Sequence, residues 1–130
     1  MSPSDVAATE ATFDRELHAP GALVLAEFWG NGCPNCDVFH AAKPSLLSEL
    51  GDVPLKLVTV DAYAHPALAR RFGLFGIPAF LLFRDGRLLG RMSEYRGREF
   101  WLGVVRDHLP ATEQAAEQGT ADPIETSVRD

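Results

Sequence analysis

Cysteine is scarce in this 130-residue chain, which has only two. That excludes the multi-bridge frameworks of small secreted domains. Long apolar runs are missing as well. None approaches the roughly 18 residues of a membrane span, so no membrane partner is expected. Positions 1 to 20 hold no basic start followed by an apolar stretch, so no signal peptide is expected and the default compartment is the cytoplasm. Surplus positive charge is absent: the formal net charge is −6, which disfavours nucleic acid and anionic membranes as partners. Paired histidines are missing too. His18, His40, His65 and His108 do not stand at ligand spacing, so two cysteines read as half a zinc site lack the rest of the roughly four ligands zinc needs. No metal is therefore expected, and there are no internal repeats.

What is present suffices for one domain with a sizeable core: 46% of the residues are hydrophobic. Most of the negative charge lies at the end. Residues 110–130 hold Glu113, Glu117, Asp122, Glu125 and Asp130 against Arg129, a net −4. That stretch has few large apolar residues and cannot bury enough surface to offset chain entropy. The expectation is a domain over residues 1–109, a disordered acidic tail over residues 110–130, and a monomer.

Taken in order, Met1 to Ala8 supports at most a short, marginal strand around Val6. Thr9 to His18 reads as a helix capped by Thr9 or Thr12, with Phe13 and Leu17 as an i, i+4 apolar pair. Ala22 to Phe28 is almost continuously apolar, the pattern of a strand covered on both faces, with Glu27 as the exception. Pro34 to Leu50 reads as a long helix with Val38, Phe39, Ala42, Leu46, Leu47 and Leu50 on its apolar face. Pro44 lies inside it and is expected to kink it. A second buried strand follows from Pro54 to Val60. His65-Pro66 opens a short helix to Phe72. Ala79 to Phe83, the turn signal Asp85-Gly86, and Arg87 to Met92 form a hairpin. Gly97 to Leu109 closes the domain with Phe100, Trp101, Val104, Val105 and Leu109 as its apolar stripe. This order predicts an α/β fold: a mixed central sheet of four to five strands flanked by helices on both faces.

Both cysteines fall in Cys33-Pro34-Asn35-Cys36, between the first long strand and the long helix. A helix N-terminus carries unpaired N–H groups and a partial positive charge. A cysteine placed there is biased toward thiolate, the form that attacks disulfides. Cys36 lies one turn further on, near enough to bridge to Cys33. Two inert buried cysteines are the competing reading. Gly30, Gly32 and Pro34 argue against it, because they mark an exposed turn.

The chain from about Thr9 to Leu109 resembles thioredoxin. Five stretches carry the resemblance: Glu27-Phe28-Trp29, Cys33-Pro34-Asn35-Cys36, Asp61, Gly76-Ile77-Pro78, and the hairpin turn Phe83-Arg84-Asp85-Gly86. The resemblance implies a thioredoxin fold and a thiol–disulfide oxidoreductase that reduces or exchanges protein disulfides, without a metal or organic cofactor. It implies that Cys33 attacks and Cys36 resolves. Pro78 would be cis and face the dithiol, and Ile77 would offer backbone groups to an extended substrate. Trp29 would pack beside the dithiol, with Pro34 and Asn35 on the same substrate-facing rim. Glu27 would be the buried carboxylate that moves the proton of Cys36. The plainer reading of Glu27 is an edge position or a hydrogen-bonded core carboxylate. Protein disulfides and a recycling reductase are the implied partners. Cys-Pro-x-Cys also resembles glutaredoxin, but Gly76-Ile77-Pro78 and the N-terminal helix favour thioredoxin.

Several positions depart from the family pattern. No aromatic residue precedes Cys33. The lysine expected beside the buried carboxylate falls at Leu57, so Glu27 is expected to lack a basic partner. Glu94 stands where a glycine is common before the last helix. Proline sits directly after Cys33 rather than directly before Cys36. That placement leaves Asn35 with both a backbone N–H and a side-chain amide near Cys33, and predicts a dithiol more oxidising than thioredoxin's, which stands at about −270 mV. The altered rim also keeps a second function class open: a non-catalytic binding module or chaperone-like adapter on the same fold.

Overall fold

Leu23–Trp29 (β2) is the middle strand of a five-stranded sheet. Its interior residues are buried on both faces, as the near-continuous apolar run requires. The computed structural model describes residues 2–110; the acidic stretch from 111 onward lies outside the described residues. The other strands are Ser4–Ala7 (β1), Leu55–Asp61 (β3), Ala79–Arg84 (β4) and Arg87–Met92 (β5). The spatial order is β1-β3-β2-β4-β5. β1, β3 and β2 run parallel, β4 is antiparallel to β2, and β5 returns antiparallel to β4. The β4–β5 turn is tight. Asp85 (φ 52°) and Gly86 (φ 79°) both take the left-handed conformation that a two-residue hairpin demands.

Four helices cover the sheet: Phe13–Glu16 (α1), Pro34–Leu50 (α2), Pro66–Arg71 (α3) and Arg98–His108 (α4). Alternation along β2 separates two cores. Leu23 and Leu25 point to one face, where Phe39, Leu46 and Leu50 of α2 meet Trp101, Leu102 and Val105 of α4. Val24, Ala26 and Phe28 point to the other, against Phe13 of α1 and Leu68 of α3.

The first helix is shorter than the sequence pattern suggests. Thr9 Oγ1 accepts from the Ala11 N–H, and Thr12 Oγ1 accepts from the Thr9 N–H. These local bonds satisfy the backbone without helix, so Thr9 to Thr12 form a turn instead. Two positions assigned to apolar faces are exposed. Val38 lies on the outside of α2, and Phe100 sits on the surface of α4 beneath the Arg96 guanidinium. Helix α2 continues through Pro44, which has no N–H to offer the carbonyl of His40.

Candidate active site

Parallel β2 and β3 end side by side, and α2 begins just beyond β2. Helix α2 starts on Cys33, whose extended backbone makes it the N-cap, with Pro34 in the first turn. The Cys33 side chain accepts the Cys36 N–H at Sγ, 3.1 Å away. This is the role usually played by a serine or aspartate oxygen. Cys33 and Cys36 are joined as a disulfide, with Cα atoms 5.2 Å apart.

Both cysteines are buried, contrary to the exposure expected from the flanking glycines and proline. Asn31, Gly32 and Pro34 are exposed, so the turn itself stands in solvent. Its curvature places Cys36 in the first turn of α2, where it is fully covered, and leaves Cys33 8% exposed at the surface edge. Of the two cysteines, Cys33 is the one that reaches the surface.

The Ile77–Pro78 peptide is cis. Cys33 Sγ lies 3.7 Å from the Ile77 carbonyl oxygen. The disulfide sulfur has no proton to donate, so in this state that approach is a contact. The reduced thiol turns it into a weak S–H···O bond. Trp29, at the end of β2, is half-buried and packs edge-on to the ring of His40, with centroids 5.6 Å apart.

Asn35 does something the sequence did not suggest. Its Nδ2 donates to the Tyr95 carbonyl (3.1 Å), and its Oδ1 accepts the Tyr95 N–H (2.8 Å). The side-chain amide expected near Cys33 is thus bound to the backbone of the segment before α4. Of the two donors expected from Asn35, the side-chain one does not serve the sulfur.

Glu27 is 1% exposed. In the sheet it lies between Thr59 of β3 and Phe80 of β4, on the α2 face. The expectation that it lacks a basic partner is overturned. His40 Nε2 is 2.6 Å from Glu27 Oε2. The lysine position belongs to Leu57, whose side chain is core, while the adjacent Lys56 faces α1 and bonds Glu16. Helix α2 supplies the partner instead. Burial pushes the Glu27 carboxyl above the ordinary carboxylate range, and His40 is the strongest influence pulling it back down. A spacing signal for His40 existed. It lies four residues beyond Cys36, on the same helix face.

Tyr63 was also missed. Asp61 Oδ1 accepts the N–H groups of Tyr63 and Ala64, fixing a turn after β3. That turn lays the Tyr63 ring over Gly30 beside Ile77; a Cβ on Gly30 would come within 2.5 Å of the ring and 2.8 Å of Ile77 Cδ1. Only glycine lets the rim close there.

A cysteine-capped helix, a cis proline across from its sulfur and a buried carboxylate beneath define a protein of dithiol–disulfide exchange. The thioredoxin family model matches residues 4–102. The thioredoxin of Mycolicibacterium smegmatis is 30% identical, covering 80% of this chain and 94% of that protein. Thioredoxin from Bacillus subtilis is 30% identical over 80% of this chain and 97% of its own length. A mutant thioredoxin from Halobacterium salinarum shares the fold with a TM-score of 0.69 at 19% identity, covering 85% of this chain and 94% of that one. The chain belongs to the thioredoxin family and is a thiol–disulfide oxidoreductase. No helix among the described residues is long and apolar enough to cross a membrane.

Proposed function

We propose that this protein reduces disulfides in other proteins as a monomer in the cytoplasm, and that a dithiol reductase recycles it. The observation that carries the reading is the asymmetry of the two sulfurs. Cys33 Sγ caps α2 at the surface edge, while Cys36 is fully covered one turn inside. In the reduced protein, Cys33 thiolate attacks one sulfur of a substrate disulfide. A mixed disulfide forms, and the other substrate sulfur leaves as thiolate and takes a proton from water. Cys36 then gives its thiol proton to Glu27 and attacks Cys33 Sγ. The mixed disulfide breaks, the second substrate thiolate leaves, and the protein ends as the Cys33–Cys36 disulfide.

Trp29, Pro34, Ile77 and Pro78 form the rim that meets the substrate. The Ile77 backbone offers an edge to an extended segment. Asn35 shapes that rim from beneath through Tyr95. Residues 1–109 are the working unit.

Trapping tests the assignment. Cys36→Ser should accumulate covalent mixed disulfides through Cys33, while Cys33→Ser should accumulate none, in the full chain and in a chain ending at Leu109. Trapping by Cys33→Ser alone would reverse the roles, and equal trapping by the two variants would abolish the distinction. A non-catalytic adapter would bind its partners equally well with both cysteines changed to serine.

A further inference from the structure

We propose that His40 is the solvent-side half of a Glu27–His40 proton relay that governs the resolving step of disulfide exchange. The proposal rests on the assignment of Glu27 as the base for Cys36. It adds a positioning residue that acts through Glu27 and gives the buried proton a way out.

The two carboxylate oxygens of Glu27 differ. Oε2 is held by His40 Nε2 at 2.6 Å. Oε1 is buried and has no hydrogen-bond partner among the described residues. A buried polar atom without a partner is costly and calls for an explanation, of which a redox or catalytic role is one. One oxygen is thus free to receive a proton while the other stays coupled to the imidazole. His40 bridges inside and outside: its side chain is 35% exposed, against 2% for Glu27. The ring is held in place by the edge of Trp29 and by Phe39.

The remaining charges around Glu27 are Lys43 of α2 and Asp5 of β1, which pair with each other at 2.5 Å. The lysine is tied to an acid of its own, so it has less to offer Glu27. His40 outweighs it as the group holding the carboxyl down against burial. An imidazole also has one nitrogen that can take a proton and one that can give one up.

In the resolving step the Cys36 thiol proton moves to Glu27, and the thiolate forms the Cys33–Cys36 bond as the substrate thiolate leaves. The carboxyl then turns its new O–H toward His40 Nε2, the imidazole takes that proton, and the resulting imidazolium loses one to water. The carboxylate is restored for the next cycle. No electron passes through the pair.

Two readouts test this on the full chain. The first is the carboxyl ¹³C titration of Glu27 in the oxidised protein. The second is the rate of single-turnover reduction of a peptide disulfide at saturating concentration, where the resolving step sets the limit, followed against pH. His40→Phe keeps a ring against Trp29 and removes the hydrogen bond. Loss of a bond to a charged group should raise the Glu27 midpoint by about one pH unit or more. The acid limb of the rate profile should rise with it, lowering the rate roughly tenfold below the new midpoint and leaving the alkaline plateau in place. His40→Lys should bring the midpoint back to the wild-type value or below. A uniform rate loss with an unmoved midpoint would mean that His40 is only structural, and would overturn the relay. Should His40→Phe fold poorly, His40→Leu gives the same comparison, since it too removes the hydrogen bond to Glu27. Glu27→Gln separates the two assignments. If it leaves the acid limb intact, the base assignment fails. If it removes the limb while the His40 variants leave it unmoved, only the relay fails.

Discussion

Replacing Asn35 by alanine should cost stability and leave the chemistry of Cys33 almost untouched. The side chain makes two hydrogen bonds to one residue, donating to the Tyr95 carbonyl at 3.1 Å and accepting its N–H at 2.8 Å. Each such bond contributes about 0.5–1.5 kcal/mol net. Tyr95 is 8% exposed, so water reaches the freed groups poorly. The expected loss is therefore about 2 kcal/mol. For a domain of this size that lowers the melting temperature by roughly 8 °C or more. Asn35→Asp should fall between, since it keeps the acceptor for the Tyr95 N–H and sets its other oxygen against the Tyr95 carbonyl. Its negative charge in the first turn of α2 recovers part of the loss.

The redox potential reads a different quantity. It depends on the difference between the oxidised and reduced proteins, so a clamp present equally in both cancels. Asn35→Ala should thus move the potential by less than about 15 mV, half of the roughly 30 mV that corresponds to 1.4 kcal/mol. Thermal unfolding of both redox states and titration in glutathione buffers measure the two numbers. An unchanged melting temperature with a potential lowered by about 30 mV or more would refute the reasoning. It would mean that the amide serves the Cys33 thiolate rather than Tyr95.

Two further outcomes follow from the same geometry. Gly30→Ala should leave stability within about 1 kcal/mol, because the atoms nearest its new Cβ belong to the Tyr63 ring and the end of the Ile77 side chain, which can turn aside; its cost should appear as a raised KM for protein disulfides and little change with small disulfides. Glu27→Gln should stabilise the protein at pH 7 and less so at pH 4, as followed by chemical denaturation. The folded carboxyl is held above its unfolded value. Between the unfolded value of about 4.3 and the folded one, the folded chain keeps a proton that the unfolded chain has lost, so wild-type stability falls as pH rises through that window. Equal effects at both pH values would contradict the burial of a charge.

The fold was legible because its strongest signals are local. Helix α2 runs from Pro34 to Leu50 as its periodicity and flanking signals predict, and β5 runs from Arg87 to Met92 as expected. Asp85-Gly86 announces its turn by the backbone it must adopt. The failures have a common cause in competition between local and tertiary terms. Thr9 to Thr12 carry helix-compatible residues, yet their hydroxyls bond the local backbone. Val38 and Phe100 sit at the margin of their helical stripes, where an apolar residue can face solvent at small cost. At the site, the dithiol was visible as a motif, but the partners of Asn35 and Glu27 were not. Tyr95 lies 60 residues from Asn35, and Glu27 and His40 come from different elements. Such pairs are created by packing. The absence of a lysine at Leu57 hinted that a buried acid would need another base, and the i, i+4 spacing of Cys36 and His40 hinted where it stands.

The two departures from the family pattern at the dithiol solve different problems. Proline cannot donate, so its place in the first turn of α2 decides which residue is free to do something else. At position 34 it occupies the first helical residue, where a missing N–H matters least. Position 35 then carries a side chain long enough to reach across to Tyr95, and α2 is tied at its first turn to the segment leading into α4. The cap on Cys33 comes from the Cys36 N–H in either arrangement, since proline at 34 or at 35 leaves it intact. The exchange therefore keeps the backbone N–H of position 35 near the sulfur and adds a side-chain tie beneath it. His40 makes the corresponding exchange at the other end of the proton path. A basic partner supplied by β3 would approach Glu27 from within the sheet. One supplied by α2 stands on the same helix as Cys36 and reaches solvent beside Trp29. The dithiol and the histidine that partners its base are thereby carried on one helix while Glu27 stays in β2, so a shift of α2 on substrate docking would move the sulfurs and His40 together against the carboxylate.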